Sequence, residues 1–279
     1  MTGEPPFLFL HMPRTAGTTL NRLLERRFAP KEILSLYSRD DFARNAVIDR
    51  ERLEGLRLIQ GHVLLTDYKA FTFYDVPVRA FTFLREPVDR VISEYFFLRA
   101  WPQQHLHGLL NEPGMDLRAY VTSGHQLLRY KGANFMTRVL SGLDPDDRPQ
   151  AALDTARENL RRRFVCFGLT ERFDESLLLL ADALGLTDLL YERQNVLRRP
   201  PGERATPEER ELVAGRNALD AALYAFAVEL FEERLAAGGA GLAGRLARHR
   251  RLLGKFQTLC RLLDARAGKE AGAIDNPKG

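Results

Sequence analysis

The sequence is poor in cysteine. Its 279 residues include two, Cys166 and Cys260, too few for the disulfide framework of a small secreted domain. No group of cysteines and histidines has the spacing of a zinc site, so we expect no metal. Cys166 stands in the apolar run Phe164-Val165-Cys166-Phe167, which predicts a buried thiol.

Long apolar runs are also missing. The N-terminal one, Phe7 to Met12, is too short for the core of a signal peptide or for a membrane span. We therefore expect no transmembrane segment and a cytoplasmic location. Neither sign of charge dominates, since 41 basic residues face 37 acidic ones and the net charge is +4. We expect no nucleic-acid partner.

Hydrophobic residues and arginine are abundant. Hydrophobic residues make up 45% of the chain, enough for the core of one large domain or two small ones. We predict a single domain over residues 1–267 and a disordered tail over 268–279. Arginine supplies 35 of the 41 basic residues. Such usage suits phosphate or sulfate binding, because guanidinium binds oxyanions in a bidentate way, but genome composition explains it equally well.

Residues 7–20 predict a buried strand, a tight turn and an amphipathic helix. The turn reads Pro13-Arg14-Thr15-Ala16-Gly17-Thr18-Thr19. The first amides of a helix and its dipole favour an anion, and small residues let a phosphate approach the backbone. Arg14 adds charge and the threonines add hydroxyl donors. The stretch does not match the Walker pattern GxxxxGK[ST], and an ordinary strand–helix turn remains an alternative.

Two further predicted strands end near side chains that could bind a ligand or take part in catalysis. Leu56 to Val63 predicts a strand that ends near His62, and Val78 to Leu84 predicts one that is followed by Arg85. Pro87 then suits the first position of a long helix. Ligands of open α/β sheets bind at the carboxyl ends of the strands, so we expect these side chains at the edge that carries the 13–19 turn. A structural histidine and an Arg85 salt bridge are the alternatives.

Together, the 13–19 turn and the segment Phe83-Leu84-Arg85-Glu86-Pro87-Val88-Asp89-Arg90-Val91-Ile92-Ser93 resemble the sulfotransferases that use 3′-phosphoadenosine 5′-phosphosulfate (PAPS). The likeness is to the carbohydrate O-sulfotransferases, in particular the branch of the heparan sulfate uronyl 2-O-sulfotransferases and its bacterial members. Gly61-His62-Val63 resembles that family's Gly-His-Val segment. The resemblance covers roughly residues 7–235.

The resemblance implies a role for each matched residue. The 13–19 loop binds the 5′-phosphosulfate, and Arg14 also takes part in catalysis. The binding residues of the loop are Arg14, Thr15, Ala16, Gly17, Thr18 and Thr19. Arg85 and Ser93 hold the 3′-phosphate, and His62 is the catalytic base. The family usually carries Lys where this chain has Arg14. Because Arg keeps the charge and the donors, we expect binding and turnover to be retained.

The predicted fold is α/β, a P-loop-like three-layer α/β/α arrangement with a central, mainly parallel sheet. Outside the sheet we predict a helix over Leu127–Leu140, a flexible stretch over Ala236–Gly244 and a basic helix over 245–266. That last helix either docks on the domain or contacts an anionic partner. Residues 198–207 predict a loop before a helix that Thr206 caps.

The predicted activity is transfer of a sulfuryl group from PAPS to a saccharide hydroxyl by in-line displacement, without a metal. Two other functions stay open at this point. One is a phosphotransferase with an unusual phosphate loop, which requires a carboxylate for Mg²⁺ near the loop. The other is a protein that binds the nucleotide without turnover.

Overall fold

A computed structural model describes residues 4–45, 47–63, 72–73, 76–192 and 204–266. Five apolar segments form one sheet, whose strands are β1 (Phe7–Leu10), β2 (Ile33–Leu36), β3 (Leu58–Gly61), β6 (Arg79–Leu84) and β7 (Cys166–Leu169). Two short strands, β4 (Thr72–Phe73) and β5 (Val76–Pro77), pair with each other in a separate antiparallel sheet. The strands are almost continuously hydrophobic because both faces of a parallel sheet are buried.

The sheet order is β2-β3-β1-β6-β7, and its neighbouring strands are all parallel. Helices flank it, so the predicted α/β class with a central parallel sheet is confirmed. The register pairs Leu10 with Gly61 of β3 and with Thr82 of β6. Thr82 Oγ1 also donates to the main-chain oxygen of Leu10 at 2.7 Å. The end of β1 is therefore held from both sides.

The described residues fall into two compact units, each built from separate stretches of the chain. The first consists of the described residues within 1–84, 162–196 and 230–279 and contains the five-stranded sheet; the second consists of those within 85–161 and 197–229. That residues 1–267 act as one domain stays a prediction, and the tail predicted over 268–279 lies outside the described residues.

The first unit covers one sheet face with helices α1 (Gly17–Arg27) and α9 (Phe173–Leu184). The phenylalanines of β1 and β6 form this face and pack against leucines of both helices; the core includes Phe7, Phe9, Phe81, Phe83, Leu20, Leu24, Leu177 and Leu180. Phe9 and Phe81 stack with ring centroids 5.1 Å apart. The short helices α2 (Arg39–Arg44) and α3 (Arg50–Glu54) follow β2, and α12 (Gly239–Arg266) packs on α9.

The second unit is helical. Its helices are α4 (Pro87–Ala100), α5 (His107–Leu110), α6 (Leu117–Thr122), α7 (Phe135–Ser141), most of α8 (Pro149–Arg162) and α10 (Pro207–Arg216). The long helix α11 (Ala218–Ala237) follows, and its residues 218–229 belong to this unit. The predicted helix start at Thr206 is confirmed, because its side chain accepts a hydrogen bond from the Glu209 amide.

Two helix predictions are wrong in extent. The helix expected over Leu127–Leu140 starts only at Phe135. Asn134 has a φ of 46°, and a Cβ at Gly132 would lie 2.9 Å from Val121 Cα, so the chain before α7 follows a different path. In contrast, α12 begins at Gly239, inside the stretch expected to be flexible. Among the described residues, no helix is long and apolar enough to cross a membrane.

Candidate active site

Three aromatic polar side chains meet at the carboxyl edge of the sheet in the first unit. His11 follows β1, Tyr37 follows β2 and His62 follows β3. The ring centroids of His11 and His62 lie 4.8 Å apart, and those of Tyr37 and His62 lie 5.1 Å apart. Because β2, β3 and β1 are neighbours in the sheet, their strand ends bring the three rings together.

The predicted turn precedes α1, but α1 starts at Gly17, so Gly17, Thr18 and Thr19 already belong to the helix. Arg14 and Ala16 have φ angles of 66° and 64°, values that are uncommon for residues with a side chain. Thr15 is fully buried and its Oγ1 donates to the main-chain oxygen of Met12 at 2.8 Å. Alternating left- and right-handed backbone at a helix start turns successive amides to one side and forms an anion-binding concavity. The described geometry therefore fits a phosphate or sulfate.

The structure changes one expectation about this loop. The single hydroxyl proton of Thr15 is used inside the turn, in the bond to Met12. Its side chain therefore shapes the loop, and any contact of Thr15 with an anion is made by its main chain. Thr18 and Thr19 lie in the first turn of α1 with small exposed fractions of 8% and 6%, so their side chains line the helix start.

Position 17, the first of α1, has to be glycine because the His11 ring leaves no room for a side chain there. A Cβ built on Gly17 would lie 1.8 Å from His11 Nε2, far inside any normal contact. The His11 ring also stacks on Phe9, with centroids 5.1 Å apart and planes 10° apart. His11 therefore packs between the end of β1 and the start of α1, and it sets how closely the 13–19 turn approaches the sheet.

The hydrogen bond of His62 assigns its tautomer. His62 Nδ1 lies 2.8 Å from the main-chain oxygen of His11. A carbonyl oxygen only accepts, so Nδ1 carries the hydrogen, and in the neutral ring Nε2 carries the lone pair. The main-chain amides are held as well, because His11 N donates to Gly61 O and His62 N donates to Leu36 O, each at 3.0 Å. The partly exposed His62 thus has a defined ring orientation and a proton-accepting nitrogen.

His11 and Tyr37 are the two ring side chains that pack next to His62. His11 Nδ1 lies 3.2 Å from the Tyr37 hydroxyl, which also accepts from Asn21 Nδ2 at 2.7 Å. Burial lowers the pKa of His11 well below its usual value, and the nearby His62 and Arg14 lower it further. Burial likewise raises the pKa of Tyr37. Both groups are therefore neutral near pH 7, and they add no charge beside His62.

Arg85 and Ser93, the residues expected at the 3′-phosphate, belong to the second unit. Arg85 is partly exposed and precedes α4, whose N-terminus is capped by Glu86 through bonds from the Val88 and Asp89 amides at 3.1 and 2.7 Å. Ser93 lies on α4 and is 5% exposed. Their part in nucleotide binding stays a prediction.

Sequence reasoning missed His11, Tyr37 and Asn21. Part of the signal for two of them was present, because His11 and Tyr37 lie near the ends of short apolar runs, as His62 does. Applied to every strand, the rule that sites lie at carboxyl ends would have grouped the three rings. In the part of the chain that the structure describes, no cluster of three or more histidine, cysteine or acidic residues suits a metal ion.

The family model for galactose-3-O-sulfotransferases matches residues 3–278 of this chain. Heparan sulfate 2-O-sulfotransferase 1 of Xenopus laevis is 24% identical over 253 residues, which cover 81% of this chain and 70% of that protein. The protein of the same name from Mus musculus is 23% identical over 215 residues, which cover 72% of this chain and 59% of that protein. The chain thus spans less than two thirds of the mouse relative.

Among solved structures, a sulfotransferase from Alicyclobacillus acidocaldarius is similar, with a TM-score of 0.45 and 17% sequence identity. The similarity covers 82% of this chain and 97% of that chain.

Proposed function

We propose that this chain, which belongs to the galactose-3-O-sulfotransferase family, transfers a sulfuryl group from PAPS to a saccharide hydroxyl. The observation that carries the proposal is the hydrogen bond from His62 Nδ1 to the His11 carbonyl. It makes Nε2 the proton-accepting nitrogen, beside the turn into α1 that suits an anion. A base next to an oxyanion site is what sulfuryl transfer to a hydroxyl requires.

His62 acts as the general base in this proposal. Its Nε2 takes the proton of the acceptor hydroxyl while that oxygen forms a bond to sulfur, and the bond from sulfur to the 5′-phosphate oxygen breaks. The proton ends on His62 and the electron pair of the broken bond ends on the departing phosphate. A positioned base of this kind contributes a factor of about 100 to 10,000 to the rate.

The loop and Arg14 stabilise the departing phosphate. Negative charge grows on the leaving oxygen, and donors already oriented toward it lower the barrier without reorganisation. Main-chain amides at the start of α1 supply such donors; the residues proposed to bind the 5′-phosphosulfate are Arg14, Thr15, Ala16, Gly17, Thr18 and Thr19. The chemistry uses the protein's own cations and amides, and no step of the proposal uses a metal.

Arg85 and Ser93 are proposed to bind the 3′-phosphate, Arg85 through its guanidinium group and Ser93 through its hydroxyl. This assignment rests on the family resemblance of the segment that contains them. The 3′-phosphate takes no part in bond breaking, so these residues position the donor. The acceptor class also rests on the relatives, whose names refer to galactose and to heparan sulfate. A cytoplasmic location remains a prediction of the sequence.

A transfer assay on a glycan panel tests the proposal. The purified protein is supplied with PAPS and with galactosides, uronate-containing oligosaccharides and simple alcohols, and product is detected by mass. We expect transfer to at least one saccharide, and a loss of about 100- to 10,000-fold in His62→Ala. The binding affinity for 3′-phosphoadenosine 5′-phosphate, measured by calorimetry, should be nearly unchanged in that variant.

His125→Ala is the matched control, because His125 is exposed and lies in the second unit; its transfer rate should equal that of the wild type. Wild-type transfer by His62→Ala would refute the assignment of the base. Tight nucleotide binding with no transfer to any acceptor would favour a binding protein. A preference for ATP over the 3′-phosphorylated nucleotide would favour a phosphotransferase.

A further inference from the structure

The helix α12 uses only one of its faces to dock on the first unit. Leu242, His249 and Leu253 are buried along this face. Beside it, Arg245 forms a two-bond pair with Asp182 of α9, at 2.6 and 2.9 Å. Arg250 lies 2.9 Å from Glu175 of the same helix. Part of the positive charge of α12 is therefore neutralised by ion pairs with α9.

A second face of α12 is exposed and mixes leucine with basic side chains. Its residues follow the alternating spacing of four and three that places side chains on one stripe of a helix. We call this face the α12 stripe; it consists of Arg248, Leu252, Lys255, Leu259, Leu262 and Arg266. The three leucines are 43%, 54% and 60% exposed. Leu263, beside the stripe, is 54% exposed.

The charge on the α12 stripe has one sign. Asp264 is the only acidic residue between Gly239 and Arg266, and it lies away from the stripe in the helical repeat. Within the described residues, neither Arg248 nor Lys255 forms an ion pair, in contrast to Arg245 and Arg250. The stripe is therefore an apolar surface set among uncompensated positive charges, which complements a surface that is apolar and anionic.

We propose that the α12 stripe binds an anionic lipid surface. Leucines enter the boundary between headgroups and acyl chains, while long basic side chains reach the headgroup phosphates. A second copy of the helix fits less well, since Arg248, Lys255 and Arg266 would then face like charges. A lipid surface also needs no groove, and the last two turns of α12 are largely exposed on every side. The inference is independent of the proposed enzymatic activity.

Vesicle co-sedimentation of the full chain tests the inference. Vesicles of phosphatidylcholine alone are compared with vesicles that also contain phosphatidylglycerol. We expect binding to the anionic vesicles, weak binding to the neutral ones, and a loss of binding at high salt. The Arg248→Gln/Lys255→Gln variant should bind roughly 25-fold more weakly, from about fivefold for each charge removed near the surface. Leu259→Asn/Leu262→Asn should also lose at least about tenfold.

The matched control is Leu127→Asn/Val165→Asn, which removes two apolar side chains that are 44% and 41% exposed elsewhere on the chain. It should bind like the wild type, and circular dichroism should show that all variants remain folded. Equal binding to both vesicle types, or binding to neither, would overturn the inference. So would stripe variants that change the oligomeric state in light scattering while the wild type ignores vesicles, because the stripe would then bind a second copy.

Discussion

His62 Nδ1 donates a hydrogen bond to the main-chain oxygen of His11 at 2.8 Å, and this contact joins the proposed base to the chain segment that leads into the 13–19 turn. His11 lies just before that turn, and its ring lies directly against Gly17. A shift in the start of α1 would therefore move both the 13–19 turn and His62.

Gly17→Ala should disrupt the turn. The added Cβ would lie 1.8 Å from His11 Nε2, so either the ring or the start of α1 must move. We expect a loss of about 1–3 kcal/mol in the free energy of unfolding, as for overpacking of a core, and weaker nucleotide binding. Urea unfolding and calorimetry measure the two effects.

Two variants sharpen this test. His11→Ala/Gly17→Ala removes the clashing ring and should recover part of the nucleotide affinity lost in the single variant. Gly254→Ala is the control, because a Cβ there meets nothing within 4 Å and alanine favours a helix. A Gly17→Ala protein as stable as the wild type would contradict the packing of His11 on Gly17.

Tyr37→Phe should reduce turnover more than nucleotide affinity. The change removes the hydroxyl that contacts His11 and Asn21, leaving the Asn21 amide without that partner, at a cost of about 1–3 kcal/mol. His11 is then less constrained, and so is the orientation of His62. Steady-state kinetics and calorimetry on the same preparation separate the two quantities. The exposed Tyr130→Phe is the control, and equal turnover in both variants would refute a positioning role for Tyr37.

Arg85→Gln should remove recognition of the 3′-phosphate. The wild type should bind 3′-phosphoadenosine 5′-phosphate more tightly than adenosine 5′-phosphate, and the variant should lose about 10- to 100-fold of that preference, the value of a charged hydrogen bond. Ser93→Ala should lose less, since its hydroxyl is uncharged. Calorimetry with both nucleotides provides the readout, with exposed Arg118→Gln as control. An unchanged preference in Arg85→Gln would remove this residue from the nucleotide site.

The docking of α12 should weaken in acid through Asp174. His249, together with the Tyr191 hydroxyl and Arg250, lowers the pKa of Asp174 to about 2. His249 Nε2 is 3.8 Å from the carboxylate, whereas the Tyr191 hydroxyl donates to it at 2.7 Å. A carboxyl group whose pKa is lowered by folding stabilises the folded state at any pH above its pKa in the unfolded chain. This contribution disappears as the pH falls through the pKa of the group in the folded protein.

The wild type should therefore lose stability relative to Asp174→Asn as pH falls from about 4 to about 2. Urea unfolding of both proteins across this range measures the difference. Arg250→Gln should shift the loss toward higher pH, since one of the groups that lower the pKa is gone. A constant difference between wild type and Asp174→Asn over the whole range would contradict the low pKa.

The helices show why part of the fold was predictable. The turn before α1 and the start of α10 at Pro207 follow from local rules for turns and caps. The helix prediction failed over residues 127–134 because the path of this segment depends on distant groups. The amide of Asn134 donates to Asn217 Oδ1 at 2.9 Å, and Asn217 Nδ2 donates to Gly132 O at 2.8 Å. Bonds between residues so far apart in sequence cannot be read from helical spacing.

By itself, the sequence determined which segments become buried strands and which residues follow them. Continuous apolar runs have to leave water, and parallel strands place their carboxyl ends at one edge. That was enough to single out the 13–19 turn and His62. Only the tertiary structure decided the strand order, which places Tyr37, His62 and His11 side by side, and the bond from His62 to the His11 carbonyl. Strand order and a main-chain acceptor leave no periodic trace in a sequence, because they depend on which neighbours the folded chain brings within hydrogen-bond reach.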